Sequence, residues 1–449
     1  MKARETRSRG ERAVLAFLRY GDPARILRRA LDADGWTLVA WRPATLHHRP
    51  GAGVTGIFPV EVSRTEPAPA MSPPSMPTHV CITSCAVPGA ARPSGPESRV
   101  VDSAGGGGEL TAWVHPRDPL LPGLPASLDP DRAAGIGFGP GGTPGDAVVE
   151  IRSYRPLRRA VVVVRVGSER RYLKVLRQGA AGPLAARHRL LRNAGVPVPE
   201  LVGAPTLDVL ALRSAPGTPL AELFMADGAA GLAPHELVRT LRSLPGDVLS
   251  LPARAPWSAR IRDYGEGAAA ALPAHARRIR RLAASIDDAV RASSAGPLVP
   301  SHGDFYEGNL LIDDGRVSGL LDVDAVGPGH LVDDLACFIG HLAVLPGLHA
   351  GYSHVPEALT RFLSVFDTYV DLQLSAAGPP RSVSPWLPGR GTGRAATGAS
   401  RRRSPASWSR SNSSRKAGGP APHAACGGAG TCEPSADLRG LRARRTRDT

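Results

Sequence analysis

Cysteine is scarce and unpaired in this chain. The five cysteines among 449 residues (Cys81, Cys85, Cys337, Cys426 and Cys432) are odd in number and scattered, and no CxxC spacing joins them. That argues against both a disulfide framework and a zinc site, and it fits a reducing interior. Long apolar runs are also missing. The N-terminal stretch MKARETRSRGERAVLAFLRYGD is broken by charge before a signal-like region can form, and no run reaches membrane-spanning length. The expectation is a soluble, cytoplasmic protein without a membrane partner. Acidic residues are the minority, 40 Asp and Glu against 55 Lys and Arg, for a formal net charge of +15. The excess is uneven: residues 381–449 hold 14 Lys and Arg against 3 Asp and Glu, a surplus of +11 that leaves only +4 for everything before them. The Arg clusters at Arg401–Arg403 and Arg442–Arg445 lack interleaved aromatics apart from Trp408, so they support nonspecific attraction and no specific nucleic-acid partner.

What is present divides into segments. A chain of this length exceeds one ordinary core. Residues 1–65 combine helical apolar spacing in ERAVLAFLRYGDPARILRRAL with two strand-like runs around Arg49-Pro50-Gly51, a small α+β unit. His47 and His48 are adjacent there, but neighbours on a strand face opposite ways, which disfavours a shared metal. Residues 66–146 read as a Pro/Gly-rich linker with short strands such as ELTAWV. In residues 147–216, RAVVVVRV and RRYLKVLR flank a Gly-Ser turn as an antiparallel hairpin, followed by a helix-compatible stretch, GPLAARHRLLRNAG. Residues 217–376 are mainly helical in pattern, and residues 377–449, poor in apolar periodicity, are expected to be disordered.

The chemistry concentrates in SHGDFYEGNLLIDDGRVSGLLDVD, residues Ser301 to Asp324. NLLI and RVSGLLDVD read as two strands around an Asp313-Asp314-Gly315 turn, a hairpin that brings Asn309 at one strand's start near Asp322 at the other's end. An Asn carbonyl beside Asp carboxylates is a hard-oxygen set that suits Mg²⁺, which takes one or two protein carboxylates and fills its shell with water and phosphate oxygens. Asp304 is then free to orient or deprotonate an attacking hydroxyl. Any one of these residues alone reads as a loop cap; the ordered set does not.

HGDFYEGN followed thirteen residues after Asn309 by LLDVD resembles the aminoglycoside phosphotransferase and choline kinase family; SYRPLRRAVVVV and GVPVP paired with HGDFYEGN and DDLACFIGHL resemble uncharacterised actinobacterial phosphotransferases, and LHHRPGAGVT is similar to the cap of the related maltokinases. The resemblance covers residues 147–374 and, loosely, the first 65. It implies a two-lobed protein-kinase-like α+β fold, with an antiparallel-sheet N-lobe, a mainly helical C-lobe, a small N-terminal α+β cap and a disordered C-terminal tail. It implies ATP and Mg²⁺ as cofactors, Asp304 as catalytic base with His302 bracing its loop, Asn309 and Asp322 on the metal, and Asp334 as support from the following helix. Lys174 is expected on the α/β-phosphates, and the backbone near Arg213 at adenine. Two features depart from the family pattern. No Gly-rich loop precedes RAVVVV, and no Asp or Glu lies between Lys174 and Glu200, so the intervening helix lacks the acid that usually pairs with the lysine. Either another acid pairs with Lys174, or phosphate alone holds it, or activity is weakened.

The partner expected is a small hydroxylated acceptor. A polycationic aminoglycoside calls for a carboxylate-lined pocket. Between Leu335 and Leu374 the acids are only Glu357, Asp367 and Asp371, while Arg277, Arg278, Arg280 and Arg281 make an earlier helix basic. A sugar or small alcohol fits that charge better. A kinase-fold protein that binds nucleotide or ligand without transferring phosphate is the alternative.

Overall fold

The computed structural model describes residues 2–370, apart from 33, 50, 65–74, 88–98, 103–108 and 140–146. The tail expected at 377–449 lies outside the described residues.

Two helices, α1 (Lys2–Tyr20) and α2 (Ala24–Asp32), precede an antiparallel sheet of β1 (Trp36–Trp41), β2 (Thr45–Arg49), β3 (Gly53–Arg64), β4 (Met76–Thr83), β5 (Arg99–Asp102) and β6 (Glu109–Val114). The twelve-residue β3 organises it: β2 and β1 share one of its edges and β4 takes the other, in the order β1-β3-β4-β6-β5. Period-two alternation gives this sheet two buried faces. Phe58, Val60, Val80, Ile82, Leu110 and Ala112 pack under the helices with Leu27 and Leu31, while Ile57, Cys81 and Trp113 turn the other way into the next core. Residues 66–146 thus supply inner strands of a packed sheet and the short helices α3 (Leu124–Leu128) and α4 (Pro130–Phe138), more than the linker with short strands that their composition suggests.

The next layer is the sheet expected as the N-lobe. Strands β7 (Val148–Arg155), β8 (Arg159–Val166) and β9 (Glu169–Leu176) are followed by α5 (Ala181–Asn193) and β10 (Val209–Arg213), forming a four-stranded antiparallel sheet ordered β10-β9-β8-β7. The β8–β9 turn is where the Gly-Ser pair sits, with Gly167 at φ 57°, a value glycine adopts freely. Val149, Val162, Val164, Leu173 and Val175 join Trp113, Leu121 and Ala133 in one core, so the N-terminal sheet and α3–α4 clamp the N-lobe from one side.

The C-lobe contains the short β11 (Thr218–Pro219), α6 (Leu220–Asp227), α7 (Pro234–Arg242), α8 (Ile261–Ala271) and α9 (Ala276–Ala292). There follow β12 (Val299–Ser301), β13 (Leu310–Asp313), β14 (Arg316–Leu320), β15 (Gly327–Gly329), α10 (Leu331–Leu348) and α11 (Val355–Phe366). The two-residue turn at Asp314 (φ 47°) and Gly315 (φ 68°) closes β13 on β14, with both residues in the left-handed region that type I′ hairpins require. Helix α10 is long and apolar enough to cross a membrane by length and composition, yet half of it is buried in the core and its first turn carries Asp333 and Asp334. Its Phe338 sits among Phe362 (5.3 Å between ring centroids), Phe366 (5.9 Å), Phe305 (6.0 Å) and Phe224 (6.2 Å). Phe305 belongs to the HGDF loop, so the core of the C-lobe anchors the chemical segment directly.

Candidate active site

The catalytic segment leaves β12 at Ser301 and passes through a loop fixed from beneath by Asp334. That carboxylate, 1% exposed in the first turn of α10, accepts from Ser301 Oγ (2.9 Å), His302 N (2.8 Å) and Gly303 N (2.8 Å). Burial raises its pKa, and His302 together with these three donors counters only part of that rise. Gly303 has φ 76°, and a Cβ there would stand 2.9 Å from the Ala325 carbonyl oxygen, so the backbone reversal needs glycine. His302 spends both ring nitrogens inside the loop: Nε2 lies 3.0 Å from the Leu321 carbonyl, and Nδ1 accepts from Asp304 N at 3.3 Å. These contacts suit the neutral Nε2–H tautomer and a bracing role.

Asp304 is left half-buried, with no hydrogen bond from a described residue to its carboxylate. Its pKa rises to about 6, chiefly through burial and then through the charge of Asp322, with His302, Arg159 and Arg155 pulling it down. Asn309 donates through Nδ2 to the Asp304 carbonyl at 2.9 Å, and its own carbonyl accepts from Leu321 N at 2.8 Å. Asn309 thus meets the chain at Leu321, just past the end of β14 and one residue before Asp322.

Asp322 occupies the left-handed region (φ 51°, ψ 49°), strained for an aspartate and a hallmark of sites where a side chain is re-aimed. Its carboxylate meets Lys174 Nζ at 2.7 Å and the Arg159 guanidinium at 2.9 and 3.1 Å. Asp324 receives the same two cations, Lys174 at 2.7 Å and Arg159 at 3.0 Å. Burial would push the Asp322 carboxyl up, but Lys174 and Arg159 outweigh it and hold the group far below the usual carboxylate range.

Lys174 stands on β9 between Val161 of β8 and Leu210 of β10, 7% exposed. The acid missing from the sequence after it is not needed in this arrangement, because Asp322 and Asp324 provide the countercharge. In place of an acid, α5 turns a buried histidine, His188, toward Lys174. Burial and then the lysine's charge lower its pKa to about 4, so it is neutral at pH 7. Arg187, its neighbour, donates to the Asp324 carbonyl at 3.0 Å.

Arg213 stands apart from this cluster. Its amide already donates to the Glu200 carbonyl at 2.8 Å, and its guanidinium lies 3.5 Å from the Glu200 carboxylate. A cavity of about 620 Å³ opens beside it, lined also by Arg165, Arg170, Arg171 and Ser214 and by none of the catalytic-loop residues.

Three participants were not assigned from the sequence. Asp324 lay inside the quoted motif without a role, His188 inside the helix marked for its missing acid, and Arg159 is 163 residues from its partner Asp322, with no local signal to link them.

The donor chemistry of this cluster suits Mg²⁺. Among the described residues no three His, Cys, Asp or Glu side chains form a ready cage, but an ion that takes one or two carboxylates and completes its shell with phosphate and water does not need one. Asn309 and Asp322 supply hard oxygens of that kind.

Residues 158–366 match the phosphotransferase enzyme family known as APH, just under half of the chain. The matched segment runs from β8 through α11 and contains Lys174, Asp304, Asn309, Asp322 and Asp334. Among solved structures, the chain is similar to an aminoglycoside-3′-phosphotransferase of type VIII at 26% identity, over 48% of this chain and 84% of that one, with a TM-score of 0.36. It is also similar to a glucosamine kinase solved with glucosamine, ADP and inorganic phosphate, at 19% identity over 50% and 70% of the two chains, with a TM-score of 0.35. A macrolide 2′-phosphotransferase from Brachybacterium faecium matches at 17% identity over 54% and 89%, with a TM-score of 0.32. No curated protein matches the chain significantly.

Proposed function

We propose that the protein is an ATP- and Mg²⁺-dependent phosphotransferase that moves the γ-phosphoryl group to a hydroxyl of a small molecule, with Asp304 as the base. The observation that carries this is the meeting of an unengaged, half-buried Asp304 with Asn309, Asp322 and the cross-lobe Lys174. In the reaction the acceptor hydroxyl gives its proton to the Asp304 carboxylate. The acceptor oxygen bonds to the γ-phosphorus as the bond from that phosphorus to the bridging oxygen breaks, and ADP leaves. Asn309 and Asp322 would hold Mg²⁺, which supplies neutralisation of the β- and γ-phosphates when bound. Lys174 adds a fixed positive charge for the phosphates, and Asp334 holds the loop so that Asp304 stays aimed. A pKa near 6 leaves Asp304 ionised at neutral pH and basic enough to share a developing proton.

The acceptor we favour is a neutral hydroxylated molecule such as a sugar or small alcohol. The acids of this region are committed or only partly ionised at neutral pH: Asp333 accepts from Ser258 Oγ at 2.7 Å, and buried Glu307 has its pKa raised to about 7. Occupation of both Asp322 and Asp324 by cations favours a second reading, a nucleotide-binding protein without transfer. Incubation with ATP labelled at the γ-phosphate over a panel of sugars, amino alcohols and aminoglycosides separates the two. The first reading expects labelled product, lost by about 10²-fold or more in Asp304→Asn with Mg·ATP binding retained. Tight Mg·ATP binding with no labelled product from any acceptor supports the second.

A further inference from the structure

The turn from β7 to β8 lies at the end of the sheet from which Arg159 reaches Asp322 and Asp324, and its backbone is already committed. Leu157 N donates to Asp118 Oδ2 at 2.7 Å, Arg158 N to the Arg155 carbonyl at 3.0 Å, and the Leu157 carbonyl accepts from Arg177 Nε at 2.6 Å. A turn whose amides are given away cannot wrap a phosphate in backbone donors as a Gly-rich loop does. What it presents are the side chains of Arg155, Arg158 and Arg159. Arg159 reaches across the cleft so that, together with Lys174, a cation contacts every oxygen of Asp322 and Asp324. A metal ion taking one of those oxygens meets a cation already on it and competes with it for charge and space. Lys174 is enclosed at 7% exposure in mid-sheet, whereas the Arg159 side chain is 27% exposed at the end of a strand. Of the two, Arg159 is the one free to move. Its planar fork matches a phosphate as well as a carboxylate.

We propose that Arg159 holds the metal position on Asp322 and Asp324 while the nucleotide is absent and passes to the nucleotide phosphates when Mg²⁺ arrives. It would then be a phosphate-binding residue replacing the missing Gly-rich loop. This rests on the phosphotransferase function proposed above. A purely structural bridge between lobes would show no such exchange.

The test is binding, with the full chain, of two probes: Mn²⁺ alone, followed by electron paramagnetic resonance, and Mg·ADP, followed by calorimetry. Removing the guanidinium in Arg159→Gln should tighten Mn²⁺ and weaken Mg·ADP, each by about tenfold or more, the scale of a charge-assisted hydrogen bond. Arg159→Lys keeps the charge without the fork and should fall between, and circular dichroism checks that both variants fold. Shifts of opposite sign support the exchange. Shifts of the same sign, or none, overturn it while leaving wild-type Mg·ADP binding and the proposed function intact. Failure of the wild type to bind Mg·ADP overturns that function and the exchange together.

Discussion

Replacing Asp334 by Asn isolates what holds the catalytic loop. One carboxylate accepts three hydrogen bonds at 2.8–2.9 Å, two on Oδ2 and one on Oδ1. An amide has one accepting oxygen. If it keeps the contacts with Ser301 and His302, the amide of Gly303 faces an NH₂ group that cannot accept. The variant loses one charge-assisted bond, about 1.5–3 kcal/mol net, and leaves a buried donor unpaired at about 1–3 kcal/mol, while removing a buried charge returns part of that. A net loss of about 2–4 kcal/mol is expected in urea unfolding. Because the freed donor is next to Asp304, kcat should fall by about tenfold or more, the rate equivalent of some 1.4 kcal/mol of lost aim. The Kd for Mg·ATP should stay within about threefold, since Lys174 and Asp322 are held by other elements. Unchanged stability and unchanged kcat together would refute the claim that this carboxylate fixes the loop.

Asp304 sets a pH dependence: kcat/KM should rise as pH climbs through about 6 and level off above it, because the base must be ionised, and the variant Asp304→Asn should lose that rise along with activity. Glu307 gives a stability signature. Its pKa is raised from 4.5 to about 7 by burial, its Oε2 has no hydrogen-bond partner among the described residues, and His341 Nδ1, 3.9 Å away and lowered to about 4 by burial, cannot supply charge at neutral pH. The fold favours the protonated acid, so its contribution is full below pH 4.5 and lost as pH rises through about 7. In urea unfolding at pH 8, Glu307→Gln should exceed the wild type by up to about 3 kcal/mol, with the gap closed at low pH; equal curves at pH 8 would count against it. Phe338→Ala should cost about 3–5 kcal/mol and also depress kcat, since the ring packs on Phe305 of the catalytic loop. A stability loss without a rate loss would detach that loop from the core.

Legibility in the sequence followed the range of the interactions. The β13–β14 hairpin is specified by its own turn residues, so the approach of Asn309 to Asp322 could be foreseen. The β8–β9 hairpin and the helix after it are equally local. Strand β6 was legible as ELTAWV, whereas β4 was hidden among Pro- and Gly-rich segments, and composition alone does not show that Cys81 and Trp113 face a second sheet. The absent acid on α5 was visible, but the replacement partners of Lys174, Asp322 and Asp324, lie about 150 residues on, joined only by tertiary folding. Arg159 carried no pattern at all, because a single arginine on an alternating strand reads as a solvated residue.

The central claim is a nucleotide site built on Asp322, and calorimetric titration of Mg·ATP into the wild type and Asp322→Ala tests it most directly. Binding that requires Mg²⁺ and disappears in the variant is the predicted result. Binding of equal strength in both proteins, or no binding to a well-folded wild type, would contradict it.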